Sequence, residues 1–319
     1  MLRSILIYLS KVAWVQRWIT SWKFAWRAAS RFVAGNTIDD AIGVVKDLNA
    51  RGINATLDHL GESTTTPEEA VKATNDILEL LDRLNKVEVR ANVSVKLTQI
   101  GLALDEGLCA QNLERILAHA RQYDNFVRID MEDSPYTTQT LDLFRQMSAK
   151  GFGNTGAAIQ SYLYRSEKDA AELLAGGTRI RLIKGAYKEP VKVAFRKKAD
   201  VDVNYDRLTG LMIDAALAAG SPTLSSDGRI PPIPALGTHD ARRIDFARQY
   251  AAKVGLPKQA LEIQMLYGIR RDLQEQCVRE GYPVRVYIPY GTHWYPYFMR
   301  RLAERPANLW FFISNFFRK

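Results

Sequence analysis

A chain of 319 residues with 47% hydrophobic and 25% charged side chains has the make-up of a globular protein, which excludes a disordered or fibrous class and leaves room for one barrel or two ordinary domains. Only Cys109 and Cys277 are present and the four histidines are scattered, so neither a disulfide framework nor a metal cluster is expected, and a reducing compartment follows. The formal charge of +9 comes with no recognisable nucleic-acid-binding motif, so nucleic acid is not an expected partner.

Residues 1–35 hold six basic side chains and no acidic one, and Trp14, Trp18, Trp22 and Trp26 recur every four positions. On a helical wheel the tryptophans share one broad face, with Arg17, Lys23, Arg27 and Arg31 mostly on the other. Lys11 and Arg17 interrupt the apolar run, which is too short to span a bilayer, and no secretory cleavage pattern follows. Such a helix either packs its tryptophan face onto the main domain or lies on an anionic membrane surface. The stretch NLWFFISNFFRK at 308–319 poses the same choice. The expected organisation is a helical arm over residues 1–45 and a barrel over 46–319.

From residue 50 onward, short β-branched runs alternate with helical patterns. The expected strands are INATLDHL (53–60), ANVSVKL (91–97), FVRIDM (126–131), AAIQSYL (157–163), RIRLIKGAY (179–187), IPALGTH (233–239), LEIQML (261–266) and VRVYIPYG (284–291). Their spacing, mostly ~25–40 residues, leaves room for a helix and two loops between parallel strands. Repeated along the chain, that unit predicts an α/β fold, a (β/α)₈ TIM barrel. One connection is long: 188–232 contains a helix and then the loop SPTLSSDGRIPP.

Alternation inside the strands is the more telling signal. Val93 and Val95 oppose Ser94 and Lys96, and Val127 and Ile129 oppose Arg128 and Asp130. Ile180 and Leu182 oppose Arg179 and Arg181, Ile263 and Met265 oppose Glu262, Gln264 and Leu266, and Val286 and Ile288 oppose Arg285 and Tyr287. Strands buried on both faces usually read as almost continuously apolar. Charge turned toward a barrel axis costs several kcal/mol per group, in order of magnitude, unless it is paired. Mutual salt bridges and a polar ligand are therefore both expected. Lys96, Asp130, Arg181, Gln264 and Tyr287 fall near the carboxyl ends of their strands, where barrel active sites lie. In YPYFMRRLAER (295–305), Pro296 suits a helix start, which would place Arg300 and Arg301 near the positive end of a helix, waiting for an anion.

The motifs LGE (60–62), SVKLTQIGL (94–102), RIDMEDSP (128–135), QSYLYR (160–165), RLIKGAY (181–187), GTHD (237–240), EIQMLYG (262–268) and RVYIPYGTHWYPYFMRRLAER (285–305) occur in the order of one family. Together they resemble the proline dehydrogenases, and most of all the monofunctional bacterial branch. The resemblance implies a distorted barrel that holds a flavin, FAD or less commonly FMN, without a Rossmann fingerprint; no GxGxxG follows a strand here. It implies oxidation of L-proline to Δ1-pyrroline-5-carboxylate by hydride transfer to flavin N5, with reoxidation by a membrane quinone.

Residue by residue, the resemblance implies that Arg300 and Arg301 grip the substrate carboxylate, and that Glu62 closes over the site by pairing with Arg300. It places Arg181 beside flavin N5. Met131, Gln160, Lys184, Gly185, Ala186, Thr238, His239 and Gln264 are the other implied flavin contacts. Lys96 and Asp130 belong to the proline site as an ion pair, with Tyr287, Tyr297 and Leu266 as its walls and Tyr187 as a further candidate wall. Asp130 is a candidate to orient or assist loss of the substrate's ammonium proton, although a lysine partner weakens a carboxylate as a base. Taken without the family, Arg181 would instead pair with Glu262, and Lys96 or Lys184 would suit a Schiff-base lyase or aldolase. A hydroxyproline-preferring dehydrogenase fits the same motifs.

Two departures stand out. Lys188 and Glu189 follow KGAY where many relatives carry Trp–Asp, and the loop 221–232 is longer than usual. No sequence remains after residue 319 for an aldehyde-oxidising domain, so the product is expected to pass to a separate pyrroline-5-carboxylate dehydrogenase. A cytoplasmic location is expected, peripheral on the inner face of the membrane if the arm binds lipid.

Overall fold

A computed structural model describes residues 12–20, 23–61 and 63–304. All eight expected strands form, as β1 (Asn54–His59), β2 (Ala91–Val95), β3 (Val127–Ile129), β4 (Thr155–Gln160), β5 (Arg179–Ile183), β6 (Pro234–Gly237), β7 (Glu262–Leu266) and β8 (Val284–Tyr290). They pair in chain order, all parallel, and β8 returns to β1 with Asn54 opposite Arg285, so the barrel closes and has no edge. Several strands stop short of their expected carboxyl ends. Lys96, Asp130, Ser161 and Lys184 lie just past the ladder, where the chain turns out to line the mouth.

A short arm of α1 (Ala13–Thr20) and α2 (Lys23–Ala29) precedes α3 (Ile38–Ala50), the first helix of the outer layer. The helices between strands are α4 (Pro67–Lys86), α5 (Glu106–Arg121), α6 (Thr137–Ala149), α7 (Ser166–Ala175), α8 (Lys198–Ala218), α9 (Ala241–Val254) and α10 (Arg271–Arg279), and α11 (Trp294–Glu304) follows β8. Two starts are fixed by capping boxes, Thr37 with Asp40 on α3 and Thr66 with Glu69 on α4, where Pro67 needs no amide partner. Burial alternates as a helix requires: α3 turns Ala41, Ile42, Val45 and Leu48 inward, and α4 turns in Ala70, Ala73, Ile77, Leu80, Leu81 and Leu84.

Two features distort the ring. α3 packs against both β1 and β8, the position that the helix after β8 would fill in a regular barrel. This helix also runs across the boundary expected at residue 45, so the barrel's outer layer begins at Ile38. α11 instead sits over the carboxyl ends of the strands, packed on α2. It starts at Trp294, so Arg300 and Arg301 lie in its second half and not near its start. Arg301 falls in the last turn, where the helix dipole favours a cation, and the expected anion at a helix start does not apply.

The tryptophan stripe is divided. Trp26 meets the Trp294 ring at 5.5 Å between centroids, within a cluster of Ala25, Ala29, Phe32, Tyr295 and Phe298. Trp14 and Trp18 are 66% and 56% exposed, so a single tryptophan face packed on the barrel does not form. Trp22 and the 308–319 stretch lie outside the described residues. No helix among the described residues is long and apolar enough to cross a membrane.

Candidate active site

A cavity of about 670 Å³ opens at the carboxyl ends of the strands. It brings together Lys96, Asp130, Met131, Gln160, Arg181, Lys184, Gly185, Ala186, Thr238, His239, Gln264, Leu266, Tyr287, Tyr297, Arg300 and Arg301. Those positions span the chain from Lys96 to Arg301; parallel strands deliver their carboxyl ends to one rim. Glu62 is the expected site residue that lies outside the described residues.

Asp130 is the centre of the hydrogen-bond network on the cavity floor. It accepts from Arg181 Nη1 at 2.7 Å, from the Tyr287 hydroxyl at 2.7 Å and from Ser94 Oγ at 3.2 Å. Lys96 Nζ is 3.7 Å from Asp130 but 2.6 Å from Asp58, so the expected Lys96–Asp130 pair is secondary to one with Asp58. Asp58 was missed, though the signal was available: Asn54, Thr56 and Asp58 alternate with Ala55 and Leu57 in β1 as polar and apolar residues do in the other strands. Burial pulls the Lys96 ammonium down, but the Asp58 and Asp130 carboxylates outweigh it and hold it above its ordinary value. Lys96 is thereby kept charged, which removes the free amine that a Schiff-base mechanism needs. Burial, with Asp130 and Asp58 nearby, pushes the Tyr287 phenol well above its usual range, so it stays a donor.

The alternative pairing of Arg181 with Glu262 is not formed. Arg181 Nε donates to Gln264 Oε1 at 2.6 Å, and Gln264 Nε2 donates to Glu262 at 3.0 Å. Glu262 is itself paired with Arg285 at 2.5 Å, deeper in the barrel, both side chains being essentially inaccessible. An amide has one accepting and one donating end, so the acceptor-only Glu262 fixes which end Gln264 shows to Arg181. Arg285 also donates to the carbonyls of Ala55 and Gly228, each at 2.7 Å, which ties the long 221–232 loop to the barrel floor. Below them Arg128 donates to the Ala157 and Arg179 carbonyls. Gly156 is required there, since a Cβ would come within 2.2 Å of the Arg179 carbonyl oxygen.

The cavity's other wall comes from the loops after β4, β5 and β6. Lys184 Nζ is held between Asp202 at 2.5 Å and Asp240 at 2.8 Å. His239 Nε2 accepts the Leu266 amide at 2.9 Å, which leaves the neutral ring's proton on Nδ1. Gln160 donates to the Glu132 carbonyl at 3.2 Å, while its Oε1 is buried with no hydrogen-bond partner among the described residues. A buried acceptor on a cavity wall calls for a donor from a bound molecule. The Tyr187 phenol is pushed up to about 12 by burial and by the nearby Glu132. Across the mouth, Arg301 is buried on α11 with its guanidinium 5.1 Å from the Tyr297 ring centre, and Arg300 is half-buried one position earlier.

The arrangement suits a small zwitterion: two guanidiniums for a carboxylate, aromatic walls, and a carboxylate-centred floor for a nitrogen. The wall of Gln160, Lys184, Gly185, Ala186, Thr238 and His239 mixes an orphaned acceptor, a cation and small residues, which fits a polar, planar cofactor.

Comparison with known proteins gives the same family from independent data. The family model described as Proline dehydrogenase matches residues 41–313. The chain is 38% identical over 317 residues to Proline dehydrogenase 2 of Bacillus subtilis, covering 99% of each chain. It is 42% identical over 291 residues to Proline dehydrogenase of Deinococcus radiodurans, covering 90% of this chain and 89% of that one. The structure of proline utilization A from Bdellovibrio bacteriovorus, inactivated by N-propargylglycine, superposes with a TM-score of 0.78 at 27% identity, covering 88% of this chain and 33% of that longer one. The closed barrel, its charged mouth and these full-length relatives agree: the chain belongs to the proline dehydrogenase family and is a proline dehydrogenase enzyme.

Proposed function

We propose that the cavity binds L-proline against FAD and that the chain oxidises it to Δ1-pyrroline-5-carboxylate. What carries this reading is that the Arg300–Arg301 pair and the Asp130–Arg181–Tyr287 network face the same cavity. Gln160, Lys184, Gly185, Ala186, Thr238, His239, Gln264 and Met131 are the residues that would hold the flavin. A bound flavin supplies hydride acceptance at N5, with a membrane quinone as the expected reoxidant.

The chain's own residues do the rest. Arg301, already buried, and Arg300 take the substrate carboxylate by charge-assisted hydrogen bonds. Tyr287, Tyr297 and Leu266 bound the pyrrolidine ring, orienting its reactive carbon. Asp130 receives three donors and so is committed as an acceptor, which suits it to orienting the substrate nitrogen more than to taking its proton. Arg181 places a fixed cation where negative charge develops.

Exposed Trp14 and Trp18 support contact of the arm with a membrane surface, with Ile38 onward counted to the catalytic barrel. Pyrroline-5-carboxylate would be consumed by a separate dehydrogenase. The test is direct: purified protein should be yellow, release FAD on denaturation, and reduce a quinone analogue with proline faster than with hydroxyproline. Colourless protein without proline-dependent reduction would overturn the reading.

A further inference from the structure

One carboxylate outside the cavity wall ties three of the rim loops together. Past β5 the chain runs through Gly185, Ala186 and Tyr187, which line the cavity, and two residues later reaches Glu189. Glu189 Oε1 accepts the backbone amide of Ser134 at 2.8 Å, and its Oε2 accepts the Ser134 hydroxyl. The Tyr162 hydroxyl donates to Oε1 at 3.3 Å. Ser134 lies in the turn that follows β3, four residues beyond Asp130, and Tyr162 lies in the turn after β4.

Tyr162 does more than hold the carboxylate. Its ring lies against Gly185, whose φ is +111° and where an added Cβ would meet ring carbons at 2.5–2.6 Å. The wall segment is therefore pressed on Tyr162 from one side and anchored through Glu189 two residues past its end. Charge-assisted hydrogen bonds of this kind are stronger than neutral ones. Farther along the strap the Tyr164 hydroxyl donates to the Val191 carbonyl at 2.9 Å and the Tyr164 amide to the Val193 carbonyl at 3.0 Å, on either side of exposed Lys192, while exposed Lys188 directly precedes Glu189.

We propose that Glu189 is a positioning residue, a latch that sets where Gly185, Ala186 and Tyr187 stand in the cavity and so how closely the site fits its substrate. This rests on reading the cavity as the site of proline oxidation. A site held by an unlatched loop loses fit at displacements of about an ångström.

The experiment compares full-length, flavin-loaded wild type with Glu189→Ala, Glu189→Gln and Ser134→Ala. Loss of the latch should raise the proline KM of Glu189→Ala by about tenfold, with kcat within about threefold, because the contact of the Tyr187 wall with bound substrate is lost. Glu189→Gln retains an acceptor for the Ser134 amide and should fall between, as should Ser134→Ala. Trypsin cleavage should accelerate by about tenfold after Lys192 in Glu189→Ala, and less strongly after Lys188 in Ser134→Ala, where the residue following the cleaved bond is unchanged, since local opening is what a protease reads.

Unchanged KM in Glu189→Ala overturns the positioning role, even if cleavage accelerates. Unchanged cleavage in all three variants overturns the latch itself. Should Glu189→Ala not fold, Glu189→Gln and Ser134→Ala decide by the same two readouts. A wild type that does not oxidise proline overturns the proposed function instead, and the cleavage arm still judges the latch.

Discussion

Arg300 and Arg301 are neighbours in sequence with different surroundings. Arg301 is 8% exposed and set over the Tyr297 ring, whereas Arg300 is half-buried at the mouth. A buried guanidinium in a carboxylate site contributes more than a solvated one, because less screening solvent surrounds it. Arg301→Met is therefore expected to raise the proline KM by one to two orders of magnitude, on the order of 1.5–3 kcal/mol for a charged hydrogen bond, while flavin content stays near wild type. Unchanged steady-state proline kinetics would remove the clamp.

Lys96 carries a pH signature. Its folded value is raised above the unfolded 10.5, so its contribution to stability is complete below about pH 10.5 and fades as pH climbs through the folded value. The stability gap between wild type and Lys96→Met, read as urea midpoints, should narrow above that pH; a constant gap would contradict the ion-pair assignment. Among residues the motifs named most of the cavity, because each motif holds its side chains at fixed strand or turn positions. Asp58 and Glu189 escaped, since what each of them does is decided by a partner 38 or 55 residues away.

At the level of elements, the strands were legible because a period of two separates an apolar face from a polar one. The expected ends overran the ladders at the carboxyl side, where residues such as Lys96 and Lys184 keep the strand's alternation but turn into loops. The helix at the end of the barrel shows the limit of local signals. Pro296 suits a first turn, yet Trp294 and Tyr295 are helical too, and the aromatic cluster with α2 fixes where α11 begins. With two more residues ahead of them, both arginines sit farther from the helix's positive end, and Arg301 falls in the last turn, where the dipole favours a cation. The tryptophan spacing was similarly real but incomplete: a four-residue period places rings along one side, and only packing decides that Trp26 is covered and Trp14 is not.

For the whole molecule, the barrel interior is the unusual element, with Arg285 and Glu262 buried as a pair beneath the site. Removing one partner of such a pair strands a charge, at a cost of about 3–5 kcal/mol, whereas replacing both with apolar groups is often near neutral. Glu262→Met alone should lower chemical-denaturation stability by roughly that amount, and Glu262→Met with Arg285→Met should recover part of it. A double variant less stable than the single would show that Arg285 acts chiefly through the Ala55 and Gly228 carbonyls. From the sequence alone came the fold class, the strand order, the family and the residue types at the mouth, because periodicity and motif chemistry are properties of contiguous residues. Which carboxylate meets which cation, which helix closes the ring and which covers the cavity were settled by the tertiary structure. Those outcomes depend on distances between segments far apart in the chain, and sequence spacing carries no measure of them.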